Sequence, residues 1–301
     1  MALPATIPSI TGRTKGFFVP ASARQYSTLL SLLLIAPLLA LLAFGFLYPV
    51  GRLIAGSFFN PHFTLAQYGR LMDEPLYLHV LWRTIEVAFV VALLAFLLGY
   101  PVAYAMAKLK GRWAAIVAAC VLIPLWTSVL VRSYAWIVLL QRNGIINNAL
   151  TDAGLISEPL RLLYTPGAVT LAMTHVLLPF MILPIYGALR SIPDELPKAA
   201  RNLGADSARV FLNVVLPLSL PGVFAGALMT FILALGFYVT PALVGGARTL
   251  MMATLIGQQT TELLDWPFAG ALSLVLLGAT ILLVVVFRKA FSLNRGFEGG
   301  N

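Results

Sequence analysis

The sequence predicts an all-α integral membrane protein with about six transmembrane helices and both termini in the cytoplasm. Three observations lead there. The 301 residues are 60% hydrophobic and only 10% charged, whereas a soluble domain carries roughly 25% charged residues. The charges are separated by apolar intervals of about 20 residues, the length that carries a helix across a bilayer. The basic residues collect on alternate connecting segments, as they do on the cytoplasmic side of multi-span proteins.

The elements follow in order. Residues 1–26 form a tail with Pro4, Pro8, Gly12, Gly16 and Pro20 and three basic residues, Arg13, Lys15 and Arg24. Its composition opposes regular structure, and its charge favours the cytoplasm. The first span, about 28–50, exceeds the ~7–15-residue apolar stretch of a signal peptide and is expected to stay as a helix. The second covers about 85–107, the third 113–139 with Arg132 inside it, and the fourth 165–189 with Pro179 and Pro184 as expected kinks. The fifth covers about 218–240 and the sixth 266–287, so the membrane domain is 27–290 and residues 291–301 form a second cytoplasmic tail. Three longer loops lie on the far side, at about 51–83, 141–161 and 241–265. They carry the turn signals Asn60-Pro61, Asn143-Gly144 and Gly245-Gly246. They are long enough for a docking surface and read equally well as plain connections.

Counting tests the orientation. With the N-terminus inside, the cytoplasmic segments hold 13 of the 20 basic residues and four of the 11 acidic ones, so the whole net charge of +9 falls on that face. Membrane topology thus accounts for the basic balance without nucleic acid. A single cysteine, Cys120, excludes a disulfide within the chain and a multi-cysteine metal site.

The longest polar segment, SIPDELPKAARNLGADSARVFLNVVLPLSLPG, runs from Ser191 to Gly222. Ser191 followed by Asp194 and Glu195 reads as a helix start, with acids where the dipole favours them. Leu196, Ala200, Leu203, Ser207, Val210 or Phe211, and Val214 recur at helical spacing. Gly204 is a natural stop, and Asp206 a natural cap for a second short helix. Pro217 and Pro221 then open the fifth span. Pattern alone also fits an amphipathic linker lying on the membrane surface.

The spacing Ala199-Ala200, three residues, Gly204, nine residues, Val214, one residue, Leu216-Pro217 resembles the "EAA" motif of ABC importer permeases, which sits in the cytoplasmic loop before the penultimate helix. The family's glutamate position is Lys198 here, and Glu195 lies one turn earlier. The segments VRSYAWIVLLQRNGIINNAL, LLYTPGAV, LLPFMILPIYGAL and FILALGFYVTPALVGG look like the polyamine (spermidine/putrescine) branch of that family, and the related opine and 4-aminobutyrate permeases look similar. The resemblance covers about residues 60–290. It implies the type I (MetI-like) permease fold in a bacterial inner membrane. It also implies a coupling helix formed by Glu195, Lys198, Ala199, Ala200, Gly204, Asp206, Leu216 and Pro217, which docks on an ATPase subunit. The implied partners are an ATP-binding subunit dimer, a second permease subunit, a periplasmic substrate-binding protein and membrane lipid. The chain itself would be non-catalytic and hold no cofactor, with ATP and Mg bound by the ATPase subunits. Within the same machinery, 4-aminobutyrate, an opine or iron remain alternative cargoes.

No G-x-x-x-x-G-K-[ST] loop, H-E-x-x-H or G-x-S-x-G occurs. His62, His79 and His175 are scattered and read as loop or interface residues. A self-sufficient secondary transporter would need mid-membrane ionisable groups and often an internal repeat; an intramembrane enzyme would need a paired nucleophile and base. Neither pattern stands out. Polar groups in spans are costly and mark candidate pathways. Arg132, Tyr134, Trp136, Phe180 and Tyr238 are those candidates, the aromatic ones offering faces to a cation. Arg132 snorkelling to an interface, and the aromatics forming an interfacial belt, are the alternatives. Arg83 and Glu86 sit three apart, where they can pair with each other. Gly222-x-x-x-Gly226 suits close helix packing, including against a partner permease.

Overall fold

The computed structural model describes residues 28–59, 62–246 and 249–296; the predicted N-terminal tail and the Asn60-Pro61 turn lie outside the described residues. Among those described, every regular element is helical, apart from one isolated bridge between Phe59 and Phe63. Contacts divide the chain into two units, up to Gly51 and from Arg52 onward.

Helix α1 (Thr28–Leu42) continues through a π-helical turn (Ala43–Leu47) into α2 (Tyr48–Phe58), which crosses into the second unit. The second unit continues with α3 (Ala66–Asp73) and α4 (Pro75–Lys108). Proline in the first turn and lysine in the last suit the ends of α4. At 34 residues it begins ten residues before the expected boundary. Arg83 and Glu86 limit the apolar span but do not interrupt backbone hydrogen bonding, so the helix runs beyond the apolar stretch.

The third span is not one straight helix. It breaks into α5 (Gly111–Trp126) and α6 (Val129–Leu140), with the segment from Val129 to Asp152 bent by 103° from α5. Pro124 lies in the last turn of α5, and its carbonyl accepts from the Thr127 backbone N–H at 3.3 Å and the Thr127 hydroxyl at 2.8 Å. Thr127 and Ser128 then take extended backbone. Short hydroxyl side chains that bond locally end a helix this way. Helix α7 (Ile145–Asp152) follows.

Helix α8 (Pro166–Ser191) starts where Thr165 accepts the Ala168 N–H on its hydroxyl at 3.2 Å, and it runs continuously through Pro179 and Pro184. After α9 (Glu195–Asn202), α10 (Ser207–Val210), a π-helical turn (Phe211–Val215) and α11 (Leu216–Leu235) form one 29-residue span. The fifth span therefore begins eleven residues before the expected 218 and ends before 240. Pro217 cannot bond the carbonyl four residues back and clashes with it. The helix answers by widening rather than stopping, and the Leu216 N–H bonds Phe211 five residues back. Helices α12 (Val239–Val244) and α13 (Met252–Thr261) are short, and α14 runs Trp266–Gly296, past the expected end at 287. Among the described residues, five helices are long and apolar enough to cross a membrane, and the bent α5–α6 pair brings the number to six if it counts as one span.

The core is α4, α8 and α11 packed on one another. Met181, Ile182 and Ile185 of α8 meet Ala95, Tyr100 and Ala103 of α4. Gly222 and Gly226 press against α8 within this same chain: a Cβ at Gly222 would lie 2.4 Å from the Ala188 Cβ, and one at Gly226 2.8 Å from the Met181 carbonyl oxygen. The glycine pair is thus used internally rather than on a partner. Two buried polar groups find partners across the helices. Tyr100 and Ser219 share a 2.9 Å hydrogen bond, and Thr84 accepts the Met252 N–H at 2.9 Å.

Candidate functional site: a bent polar loop and a polar face on the helices

The polar loop leaves α8 after Ser191, whose hydroxyl bonds back to the Ala188 carbonyl rather than capping a new helix. Asp194 occupies the cap position of α9 without a side-chain cap bond. Glu195 in the first turn and Arg201 in the last both suit the helix dipole. Gly204 has φ +87°. Its N–H donates to the Arg201 carbonyl at 2.9 Å and the Ala205 N–H to the Ala200 carbonyl at 3.0 Å. That pair of bonds, with a glycine in the left-handed region, is a Schellman termination. Asp206 then accepts the Arg209 N–H at 2.8 Å and caps α10. The two-helix bend expected from Gly204 and Asp206 is present.

The bend redistributes the faces. Ala200 and Ala205 tuck against the core formed by α4, α8 and the π turn. Glu195, Lys198, Ala199 and Asp206 are exposed, and Leu203 is 89% exposed beside them. Leu203 and the buried Val210 share a helical spacing in the sequence, but the left-handed Gly204 interrupts it, as the glycine predicts, and Leu203 is thrown outward. Leu216 and Pro217 are away from this tip, in the first turn of α11. Beneath α9 lies a cavity of about 260 Å³ lined by Lys108, Arg190, Asp194 and Pro197, among others.

The pathway candidates separate. The Arg132 Nη1 donates to the Val176 carbonyl of α8 at 3.3 Å, and its Nε is buried without a partner. Trp136 donates its indole N–H to His175 Nδ1 at 3.2 Å, the rings meeting edge-on. Ser133 and Thr240 share a 2.9 Å bond that fixes α6 to α12. Arg132, Trp136 and His175 therefore form one group. Tyr134 is exposed on α6. Phe180 packs against the buried cluster of Val91, Leu177 and Phe231. Tyr238 lines a different cavity, about 460 Å³, with Gly257, Thr260 and Thr261. His175 was missed, although it stands ten residues into an apolar span, where an ionisable group is a functional candidate. Arg83 meets His79 at 2.9 Å, and Glu86 lines a cavity of about 250 Å³ with Arg83, Thr170 and Thr249.

The C-terminal turn of α3 and the start of α14 are tied together. Arg70 of α3 bonds Asp265 at 2.9 Å and stacks over Phe268 at 4.1 Å, while Asp265 caps α14 through the Phe268 N–H.

The family model described as binding-protein-dependent transport system inner membrane component matches residues 95–292, well over half of the chain. The chain belongs to that family. It is a multi-pass inner-membrane permease subunit of the ABC importer type, as its relatives are. It is 35% identical over 243 residues to the spermidine/putrescine transport system permease protein PotB of Escherichia coli (strain K12), covering 80% of this chain and 88% of that one. It is 36% identical over 263 residues to the PotB of Haemophilus influenzae, covering 87% and 90%. Among solved structures, a bacterial ABC transporter that imports the acidic polysaccharide alginate superposes with a TM-score of 0.71 at 16% identity, covering 87% of this chain and 94% of that one. An inward-facing MetNI methionine transporter superposes at 0.53 with 21% identity, covering 72% and 94%. The likeness to solved structures carries the fold alone.

Proposed function

We propose that this permease forms half of the translocation pathway of a polyamine importer, for spermidine or putrescine. The observation that carries the cargo is the 35–36% identity to the two PotB proteins over at least 80% of this chain. On this reading a periplasmic binding protein delivers the polyamine, a second permease completes the pathway, and an ATPase dimer binds and hydrolyses ATP with Mg. This chain supplies no catalytic group. Both termini face the cytoplasm, which places the basic excess and α9 on the ATPase side.

The coupling step follows from the loop. Small and exposed residues at the tip, Ala199 with Leu203 beside it, permit close approach to a cleft. Lys198 and Glu195 set the charged part of the contact. ATP-driven closure displaces α9, and the Schellman bend carries the displacement into α8 and α11.

The test is ATPase stimulation of the assembled complex in lipid. The binding protein is supplied with spermidine, putrescine, 4-aminobutyrate or no ligand. Stimulation by a polyamine supports the full reading. Stimulation by another ligand only keeps the machine and changes the cargo. A chain that assembles with no ATPase subunit would sink the importer mechanism.

A further inference from the structure

A polyamine pathway leaves one group unexplained. Arg132 has the sign of the cargo. Its depth is set by α8: Val176 is the eleventh of that helix's 26 residues. At 1.5 Å per residue that is about 15 Å from the outer end, within a few ångströms of the middle of a ~30 Å hydrocarbon core. His175 lies at the same depth, exposed, and takes the Trp136 indole N–H on Nδ1.

Arg132 is not snorkelling. Its Nε is buried and its Nη1 is turned onto the Val176 carbonyl, so the side chain is folded against α8 rather than extended toward headgroups. Among the described residues, that neutral contact is its one hydrogen bond. No carboxylate among the described residues lies within ion-pair reach of it. A guanidinium left against lipid at this depth is strongly disfavoured. A charge removed from water requires an opposite charge or water beside it. The face that carries Arg132, Trp136 and His175 is therefore not a lipid face, and a polycationic cargo repels it.

We propose that this face is a contact with the second permease subunit, and that the subunit presents an intramembrane aspartate or glutamate to Arg132. The proposal rests on the two-permease reading given above. Charge complementarity names the occupant. The neutral parts of the face fit the same role: Trp136 offers an apolar ring at the edge, and His175 keeps its second ring nitrogen available to the partner. The ion pair fastens the two permeases together at mid-membrane.

The experiment uses the complete complex in lipid nanodiscs. In a chain carrying Cys120→Ala, His175→Cys is paired with single cysteines placed next to each intramembrane acid of the second permease, and crosslinking is scored. Arg132→Glu and Arg132→Lys are then made, and recovery of the second permease is measured. Expected is a crosslink at one acid, near-normal recovery with Arg132→Lys, and loss of recovery by about ten-fold or more with Arg132→Glu. Reversal of the crosslinked acid to arginine should restore recovery to Arg132→Glu, which also shows that the variant folds. Normal recovery of Arg132→Glu, or no crosslink near any acid, would overturn the proposal. So would an Arg132→Gln complex that assembles normally but is stimulated by a different ligand, because the face would then contact cargo. If the unaltered chain pairs with no second permease, the two-permease reading itself fails, a result read before any variant is made.

Discussion

Replacing Gly204 tests whether the bend transmits force through its left-handed backbone. Gly204 sits at φ +87°, and a Cβ built there meets no heavy atom within 4 Å. Size is therefore irrelevant at this position, and conformation alone decides. An alanine in the left-handed region costs about 1–2 kcal/mol, which shifts the population of the bend by roughly 5- to 30-fold. Asparagine tolerates that region better, because its short polar side chain bonds locally. Proline fixes φ near −65° and deletes the N–H that bonds Arg201 at 2.9 Å, so it removes the bend. Binding-protein-stimulated ATPase and cargo moved per ATP, measured on complexes matched for assembly, should therefore rank Gly, then Gly204→Asn, then Gly204→Ala, with Gly204→Pro uncoupled. An order that follows side-chain size, with Gly204→Ala above Gly204→Asn, would refute the conformational argument. Normal stimulation in Gly204→Pro would remove the coupling role of the loop altogether.

Three further outcomes are expected. Gly222→Ala must separate α8 and α11 by about 1 Å to relieve the 2.4 Å approach to Ala188, costing about 1–3 kcal/mol; a melting temperature in lipid equal to the unaltered chain would contradict the packing. Thr84→Val removes the acceptor of the Met252 N–H in a site with no solvent exposure, and the orphaned donor should cost about 1–3 kcal/mol in the same assay. Lys198→Glu should weaken assembly with the ATPase more at low than at high salt if Lys198 makes a charged contact; equal assembly at both salt concentrations argues against one.

Much of the fold was legible because lipid imposes a simple rule: charges stay out of spans. That rule located the long helices and the loop between α8 and α11. It failed where hydrogen bonding, not hydrophobicity, sets the boundary. Helix α4 runs past Arg83 and Glu86, and the span containing α11 begins at Ser207 because a π turn absorbs Pro217. The break at Thr127-Ser128 was hidden because no charge marks it. In the candidate site, Gly204 and Asp206 declared themselves through backbone chemistry that a sequence states directly. The exposure of Leu203 and the meeting of Arg132 with Val176 and of Trp136 with His175 depend on which faces the bend and the α6–α8 packing bring round, and no local pattern encodes that.

The same packing constrains how the loop acts. Helix α8 enters the loop and the span containing α11 leaves it, and the two are locked by Gly222 and Gly226 against Pro184, Ala188 and Met181. A contact this close resists sliding, since the small residues leave no flexible side chain to adjust. On the coupling reading, a push on α9 would move α8 and α11 together rather than bend them apart. Arg132 is bonded to Val176 of α8, and Trp136 to His175 of the same helix. On the coupling reading, displacement at the loop reaches the mid-membrane polar face without an intervening hinge. Loosening Gly222 should then do two things at once: lower thermal stability and lower the cargo moved per ATP. A Gly222→Ala complex that loses stability but keeps its full transport ratio would show that the helices move independently, and would separate the coupling loop from the intramembrane face.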